Sequence, residues 1–359
     1  MTAHRPLLRP GEVREELPLS RPHVDTVRRG RRSVASILSG SDDRLLLIVG
    51  PCSIHDPVAG LEYGRRLAER AVEHADELCI VMRTYFEKPR TVRGWRGLIS
   101  DPDMDGTFLV NKGILTARRL LRDILSLDLP VGGEFLDPMS SPFLADAMSW
   151  GAIGARTSQS PVHRQLASGL PMPIGFKNST TGDVDVAIDA ALASSDAQVV
   201  LGVADDGVAT TFLTSGNPMG HVVLRGGSRG SNFDSTTIAR TASRLELSGL
   251  PGRVIIDASH GNSGKDHRRQ VAVVDEMAGV LADGERGIAG LMVESFLVPG
   301  RQSVPTDRRS GLIFGQSVTD ACMGWEDTAA VLELLADAVR RQRMAAPDAS
   351  ARPRGPAWA

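Results

Sequence analysis

The stretch LLLIVGPCSIHDPVAGLEYGRRLAERAVEHADE, residues 45–77, passes from one periodicity to another. Leu45 to Val49 form a continuous apolar run stopped by Gly50-Pro51, the pattern of a strand buried on both faces. Beyond Pro57, residues Val58, Leu61, Leu67, Ala68, Ala71 and Val72 recur at helical spacing. A buried strand followed by an amphipathic helix is a βα unit and points to a parallel sheet. Between the two stand Cys52, Ser53, His55 and Asp56. His55 and Asp56 read as the turn and first helical residues. Cys52 is open to four readings: packed small hydrophobe, nucleophile, disulfide partner or metal ligand.

The same unit recurs along the chain. CIVMR (79–83) precedes GTFLVNKGILTARRLLRDILS, VGGEF (131–135) precedes SPFLADAMSW, and IGARTS (153–158) precedes PVHRQLASG. IGFKN (174–178) precedes VDVAIDAALASS, and VVLRGG (222–227) precedes STTIARTASRLELSG. VIIDASH (254–260) precedes VAVVDEMAGVLAD, and LMVESF (291–296) precedes the final helix, EDTAAVLELLADAVRRQR. Eight units over roughly 250 residues is the usual extent of a (β/α)8 TIM barrel. AQVVLGV (197–203) and ATTFLTS (209–215) flank Asp206-Gly207, so residues 197–215 read as an inserted β-hairpin. The expectation is an α/β protein with a barrel domain at 45–343. Residues 1–44 form an N-terminal extension for regulation or oligomerisation with one helix at 24–39, and 344–359 a disordered tail. An open doubly wound sheet is the alternative, which the count of units disfavours.

The 359 residues carry a formal charge of -2, which leaves no basic excess for nucleic acid. No run of about 18 apolar residues could span a membrane, and the N-terminus has no apolar signal core. Three cysteines make no disulfide framework. A cytoplasmic enzyme is expected.

In a barrel, chemistry gathers at the C-terminal ends of the strands. Here the strands end at or near Cys52, Arg83, Glu134, Arg156, Lys177, Arg225, His260 and Glu294. Any one of these read alone is an ordinary loop charge or capping residue, but eight polar residues at one rim point to a site. Arg83, Arg156, Lys177 and Arg225 would converge at a cost unless a polyanion occupies the centre, so a phosphate substrate carrying carboxylate as well is expected. The loop FEKPRTVRGWRG (86–97) adds Lys88, Arg90 and the hydroxyl of Thr91, suited to a second phosphate. Cys52, His260 and Glu294, with Asp320 as fourth member, suit a divalent Mn, Fe, Co or Zn ion.

The motifs GPCSIHDP, RTYFEKPRT, GEFLDP, MSWGAIGART, GFKNST, LRGG, IDASHGNSGK, MVES and SVTDACMGWEDT resemble those of type I 3-deoxy-D-arabino-heptulosonate 7-phosphate (DAHP) synthases. The resemblance runs from about residue 30 to 343. It implies condensation of phosphoenolpyruvate with erythrose 4-phosphate in the shikimate pathway, with a divalent metal. It assigns Cys52, His260, Glu294 and Asp320 to the metal. Arg83, Lys88, Glu134, Arg156, Lys177 and Arg225 are assigned to phosphoenolpyruvate, and Arg90 and Thr91 to erythrose 4-phosphate. Lys88 would manage a proton for the aldehyde oxygen, and Glu134 would orient the attacking water or the cluster of Lys and Arg side chains. A homodimer or homotetramer is implied. The segments GVADDGVATTF, SGLPMP and FLDPMSSP depart from regulated bacterial members, which implies altered or absent inhibition by Phe or Tyr. A related synthase using another acceptor, or a catalytically dead regulatory barrel, are the alternatives. Cys322, two residues past Asp320, is expected close enough to Cys52 for a disulfide in the metal-free protein.

Overall fold

Eight buried, largely apolar runs become the parallel strands of a closed barrel in the computed structural model, which describes residues 4–90, 94–304 and 311–345. They are β1 (Leu45–Gly50), β2 (Leu78–Arg83), β3 (Val131–Glu134), β4 (Trp150–Ile153) and β5 (Ile174–Lys177), then, past the inserted hairpin β6 (Val199–Val203) and β7 (Ala209–Leu213), β8 (Gly220–Leu224), β9 (Val254–Asp257) and β10 (Ile288–Glu294). The order around the barrel is β1-β10-β9-β8-β5-β4-β3-β2, so the first and last strands close it. The register pairs Gly50 with Glu294 and Met292 with Asp257. The hairpin is antiparallel and stands outside the barrel, with Gly207 in the left-handed region (φ 83°) that its turn requires.

The alternation of strand side chains divides the core in two. Leu45, Leu47 and Val49 join the large cluster beneath the outer helices. Leu46 and Ile48 join a smaller one with Val81, Trp150, Ala152, Val223, Ile255 and Met292. The smaller cluster also contains Val34, Ile37 and Leu38 of α2 (Arg21–Leu38), so part of the N-terminal extension seals the barrel interior. Trp150 Nε1 donates to His221 Nε2 at 3.1 Å within the barrel, and burial pushes the His221 value down to about 4, keeping the ring neutral.

Several element boundaries differ from the sequence expectation. The extension holds two helices, α1 (Pro10–Glu16) and α2, where one at 24–39 is expected. Pro10 and Pro22 stand in the first turns of these helices, where the missing N–H costs nothing. The fourth strand starts at Trp150, inside the segment expected to be helical. Trp150 is fully buried, and Gly151 and Ala152 leave room for neighbouring strands. SPFLADAMSW therefore supplies only α5 (Ser141–Leu144) and a 3-10 turn at Ala145–Ala147. Asp56 is the N-cap of α3 (Pro57–Glu73) and not its first residue, accepting from Val58 N at 2.8 Å and Ala59 N at 3.3 Å. A small parallel pair, β11 (Val298–Arg301) and β12 (Gln316–Ser317), is unexpected. The remaining helices are α4 (Val110–Leu125), α6 (Pro161–Gly169), α7 (Asp185–Ser195), α8 (Ser235–Leu247), α9 (Arg269–Ala282) and α10 (Trp325–Ala345). The tail expected from residue 344 begins inside α10, and residues 346–359 lie outside the described residues. No described helix is long and apolar enough to cross a membrane.

Candidate active site

A cavity of about 650 Å³ opens at the C-terminal ends of the barrel strands. Its wall includes Cys52, Arg83, Lys88, Arg90, Glu134, Arg156, Lys177, Arg225, His260, Glu294 and Asp320. Every candidate from the sequence is thus brought together except Thr91, which lies outside the described residues. Several of these residues stand beyond their strands, Arg225 one position past Leu224 and Cys52 two past Gly50. Arg156 and His260 each sit three positions past the strand ends at Ile153 and Asp257, in the following turns.

Strand adjacency explains the first cluster. Because β1 pairs with β10, the loop after β1 delivers Cys52 beside Glu294. That loop is tied to the segment after β12 by Cys52 N donating to Cys322 Sγ at 3.4 Å and by Ser53 Oγ and Thr319 Oγ1 at 2.7 Å. The tie carries Asp320 into the mouth. Ligand atoms of Cys52, Glu294 and Asp320 all lie within 4.8 Å of one another. His260 stands beside this group, with Nε2 3.8 Å from Glu294 Oε1.

Between thiol and carboxylate sits an ammonium. Lys88 Nζ is 2.8 Å from Cys52 Sγ and 2.9 Å from Asp320 Oδ2. Burial disfavours the Lys88 charge, but Cys52, Glu294 and Asp320 outweigh it and hold the side chain protonated. Burial would likewise raise Asp320, yet Lys88 holds its carboxyl well below the usual range. Burial and Glu294 push the Cys52 thiol up to about 11. A soft sulfur, an imidazole and two carboxylates around a point already favourable to a cation fit a divalent transition metal.

The second cluster holds cations with buried carboxylates. Arg83 Nη2 meets Glu294 Oε1 at 3.1 Å, and its guanidinium lies over the Tyr85 ring at 4.0 Å. Lys177 Nζ meets Asp257 Oδ2 at 2.9 Å, and the same oxygen is 3.0 Å from His260 Nδ1. Asp257 is fully buried, and although burial would raise its value, Lys177 and His260 hold it far below. Two of the four converging cations are therefore partly neutralised within the protein, against the expectation that substrate alone compensates them. Arg156 and Arg225 form no ion pair among the described residues, and burial together with Arg156 depresses the Arg225 value.

Asp257, Lys265, Arg301 and Tyr85 are missed by sequence reasoning. Asp257 ends the run VIID, so the rule that selects Arg83 would select it too; reading that strand through to His260 passes over it. Lys265, in the turn after β9, and Arg301, on β11, add to the cationic wall, with no periodicity to reveal them. With them the wall carries eight Lys and Arg side chains against Glu134, Glu294 and Asp320. The cavity is built for a strongly anionic guest.

Comparison with known proteins agrees with this chemistry. A profile of the DAHP synthetase I family matches residues 20–333. The chain is 49% identical over 337 residues to the phospho-2-dehydro-3-deoxyheptonate aldolase, Phe-sensitive, of Escherichia coli K12, covering 94% of this chain and 95% of that one. It is 48% identical over 334 residues to the phospho-2-dehydro-3-deoxyheptonate aldolase of Corynebacterium glutamicum, covering 92% and 90%. The structure of phospho-2-dehydro-3-deoxyheptonate aldolase from Francisella tularensis superposes with a TM-score of 0.92 at 42% identity, covering 96% of this chain and 99% of that one. A barrel whose rim joins a metal-competent cluster to a cationic wall, matched across this much of its length, belongs to the DAHP synthetase I family.

Proposed function

We propose that this chain condenses phosphoenolpyruvate with D-erythrose 4-phosphate and water, giving DAHP and inorganic phosphate, in a divalent-metal-dependent reaction. The observation that carries the reading is one cavity holding both the Cys52, Glu294 and Asp320 cluster and the cations of the matching motifs. Arg83, Arg156, Lys177 and Arg225 bind the carboxylate and phosphate of phosphoenolpyruvate. Arg90, with Thr91, receives the sugar phosphate. Cys52, His260, Glu294 and Asp320 would hold Mn, Fe, Co or Zn, which when bound supplies Lewis-acid polarisation of the aldehyde.

C3 of phosphoenolpyruvate attacks the aldehyde carbon, forming the new carbon–carbon bond and leaving positive charge at C2. Lys88, held protonated among Cys52, Glu294 and Asp320, gives its proton to the aldehyde oxygen in this reading, which its contact with the cluster supports. Glu134 orients the water that adds to C2 and accepts its proton. Cleavage of the C2–O bond of the resulting hemiketal phosphate then releases phosphate. The intact cluster argues against a dead regulatory barrel, and the Lys88-Pro89-Arg90 wall favours a short phosphorylated acceptor over a pentose phosphate. A cytoplasmic homodimer or homotetramer, with residues 1–44 as the assembling or regulatory unit and 45–343 as the catalytic one, completes the proposal.

Phosphate release from phosphoenolpyruvate plus erythrose 4-phosphate, with EDTA and after restoring Mn²⁺, tests it. Release should vanish with chelator and return with metal, and arabinose 5-phosphate should not replace erythrose 4-phosphate. Release unaffected by EDTA would overturn the metal assignment.

A further inference from the structure

Away from the cavity, His74 follows the last residue of α3 and is 97% buried by its 3% exposure. Its backbone is locked: His74 N donates to Arg70 O, and His74 O accepts from Glu77 N and Leu78 N. Its Nε2 has no hydrogen-bond partner among the described residues and stands 3.7 Å from Glu333 Oε1 on α10. Ligand atoms of Glu73, His74 and Glu333 lie within 4.8 Å of one another, as do those of Cys52, Glu294 and Asp320.

We propose that Glu73, His74 and Glu333 form a second divalent-metal site, for an ion such as Zn²⁺, that joins the end of α3 to α10. One imidazole and two carboxylates form a donor set that leaves a fourth position to water. In the Nδ1–H tautomer, His74 Nε2 turns a lone pair toward the carboxylates. The surrounding charges are already arranged in pairs. Arg70 donates to Glu73 Oε2 at 2.6 Å, Arg340 meets Glu77 at 3.4 Å, and Asp337 meets Arg341 at 2.7 Å. Arg70 engages one of the two Glu73 oxygens, and the other serves the ion. Because α3 follows β1 and α10 follows β10, the ion bridges the helices at the seam that closes the barrel. An ion that binds only the folded chain adds to its stability.

The site stands apart from the proposed catalytic metal, and one experiment separates them. The full chain, stripped with chelator, is dialysed against Zn²⁺ alone and bound zinc is counted. Glu333→Gln should bind one ion fewer per chain than the parent while keeping its activity, since Glu333 is surface-exposed with a half-open side chain. The Zn²⁺-dependent rise in melting temperature should shrink by the same substitution. His74→Asn should repeat the loss. Titration with Co²⁺ should add thiolate charge-transfer absorption for the Cys52 site only. Equal zinc content in the parent and Glu333→Gln would overturn the proposal, whereas loss of the Cys52-dependent ion alone would count only against the barrel-mouth site.

Discussion

Three side chains show how environment sets chemistry. Cys52 is a neutral thiol in the absence of a metal because burial and Glu294 raise it to about 11; a bound cation is what would make it a thiolate. Removing it in Cys52→Ala should lower kcat/KM by about 100-fold or more, since Lewis-acid stabilisation of this kind is worth several kcal/mol; steady-state assays with saturating Mn²⁺ measure the loss. Asp257 orients His260 through Nδ1 and holds Lys177. In Asp257→Asn the amide keeps a similar shape and loses the charge, so metal affinity should weaken about 10- to 100-fold, as competition with a chromogenic chelator would report. Glu87 is buried, and burial with Asp137 and Glu134 lifts it from an ordinary 4.5 to about 7 despite a 2.9 Å bond from Ser140 Oγ. A raised carboxyl binds its proton more tightly in the folded state. Its contribution to stability is therefore full below about pH 4.5 and is lost as pH rises toward 7. Glu87→Gln should match the parent in denaturant unfolding at pH 4 and exceed it by the order of 1–3 kcal/mol at pH 8.

Between residue and barrel, the loops after the strands determine where each rim side chain points. Gly226, next to Arg225, has φ 66°, and a Cβ there would lie 2.6 Å from Asn262 N. Gly226→Ala should cost about 1–3 kcal/mol and raise KM for phosphoenolpyruvate more than it lowers kcat, because Arg225 moves with the loop. Unfolding curves and initial rates check both parts. At this scale the elements are readable where periodicity is unbroken, as in LLLIVG and in α3. Of the expected apolar face of α3, however, Leu67 is buried while Val58 and Val72 are exposed, and Tyr63 is buried instead. The sequence is misleading at residues 141–150, where Ala-rich helical spacing conceals the start of β4. Trp150 belongs to a strand because the barrel interior needs its volume beside His221, a demand that no neighbour in sequence expresses. Arg118 is a similar case. On a helix it would read as a surface charge, but it is buried and bonds Leu17 O at 2.9 Å and Asp146 at 2.7 Å.

For the molecule as a whole, the N-terminal extension is structural as well as peripheral. Its α2 seals the barrel, while Gly11 N donates to Asp205 O at 2.9 Å and Arg14 pairs with Asp205 at the hairpin turn. The expectation that the hairpin and the segments 135–142 and 168–173 confer altered or absent inhibition is tested with 1 mM Phe or Tyr, which should leave phosphate release nearly unchanged; strong inhibition by either would count against it. Cys52 and Cys322 are both free and buried, and Cys52 N donates to Cys322 Sγ at 3.4 Å, so the chain segments that carry them are in contact and a bridge between them in the metal-free protein is open to test. Cys322→Ser should therefore retain activity longer than the parent during aerobic storage of the metal-free protein, assayed after Mn²⁺ is restored.

What the chain determined by itself is the eightfold strand–helix repeat and the polar residue ending each repeat, because burial leaves its period in the local order of residues. The strand-end residues of the cavity wall were legible for the same reason: a polar side chain at the end of a buried run stands out. What only the tertiary structure decided is who neutralises whom. Lys177 and Asp257 lie on strands separated by β8, and Glu73 and His74 meet Glu333 only across the closing seam. Such partnerships follow from barrel closure and strand register, which bring together positions tens to hundreds of residues apart and leave no local pattern behind.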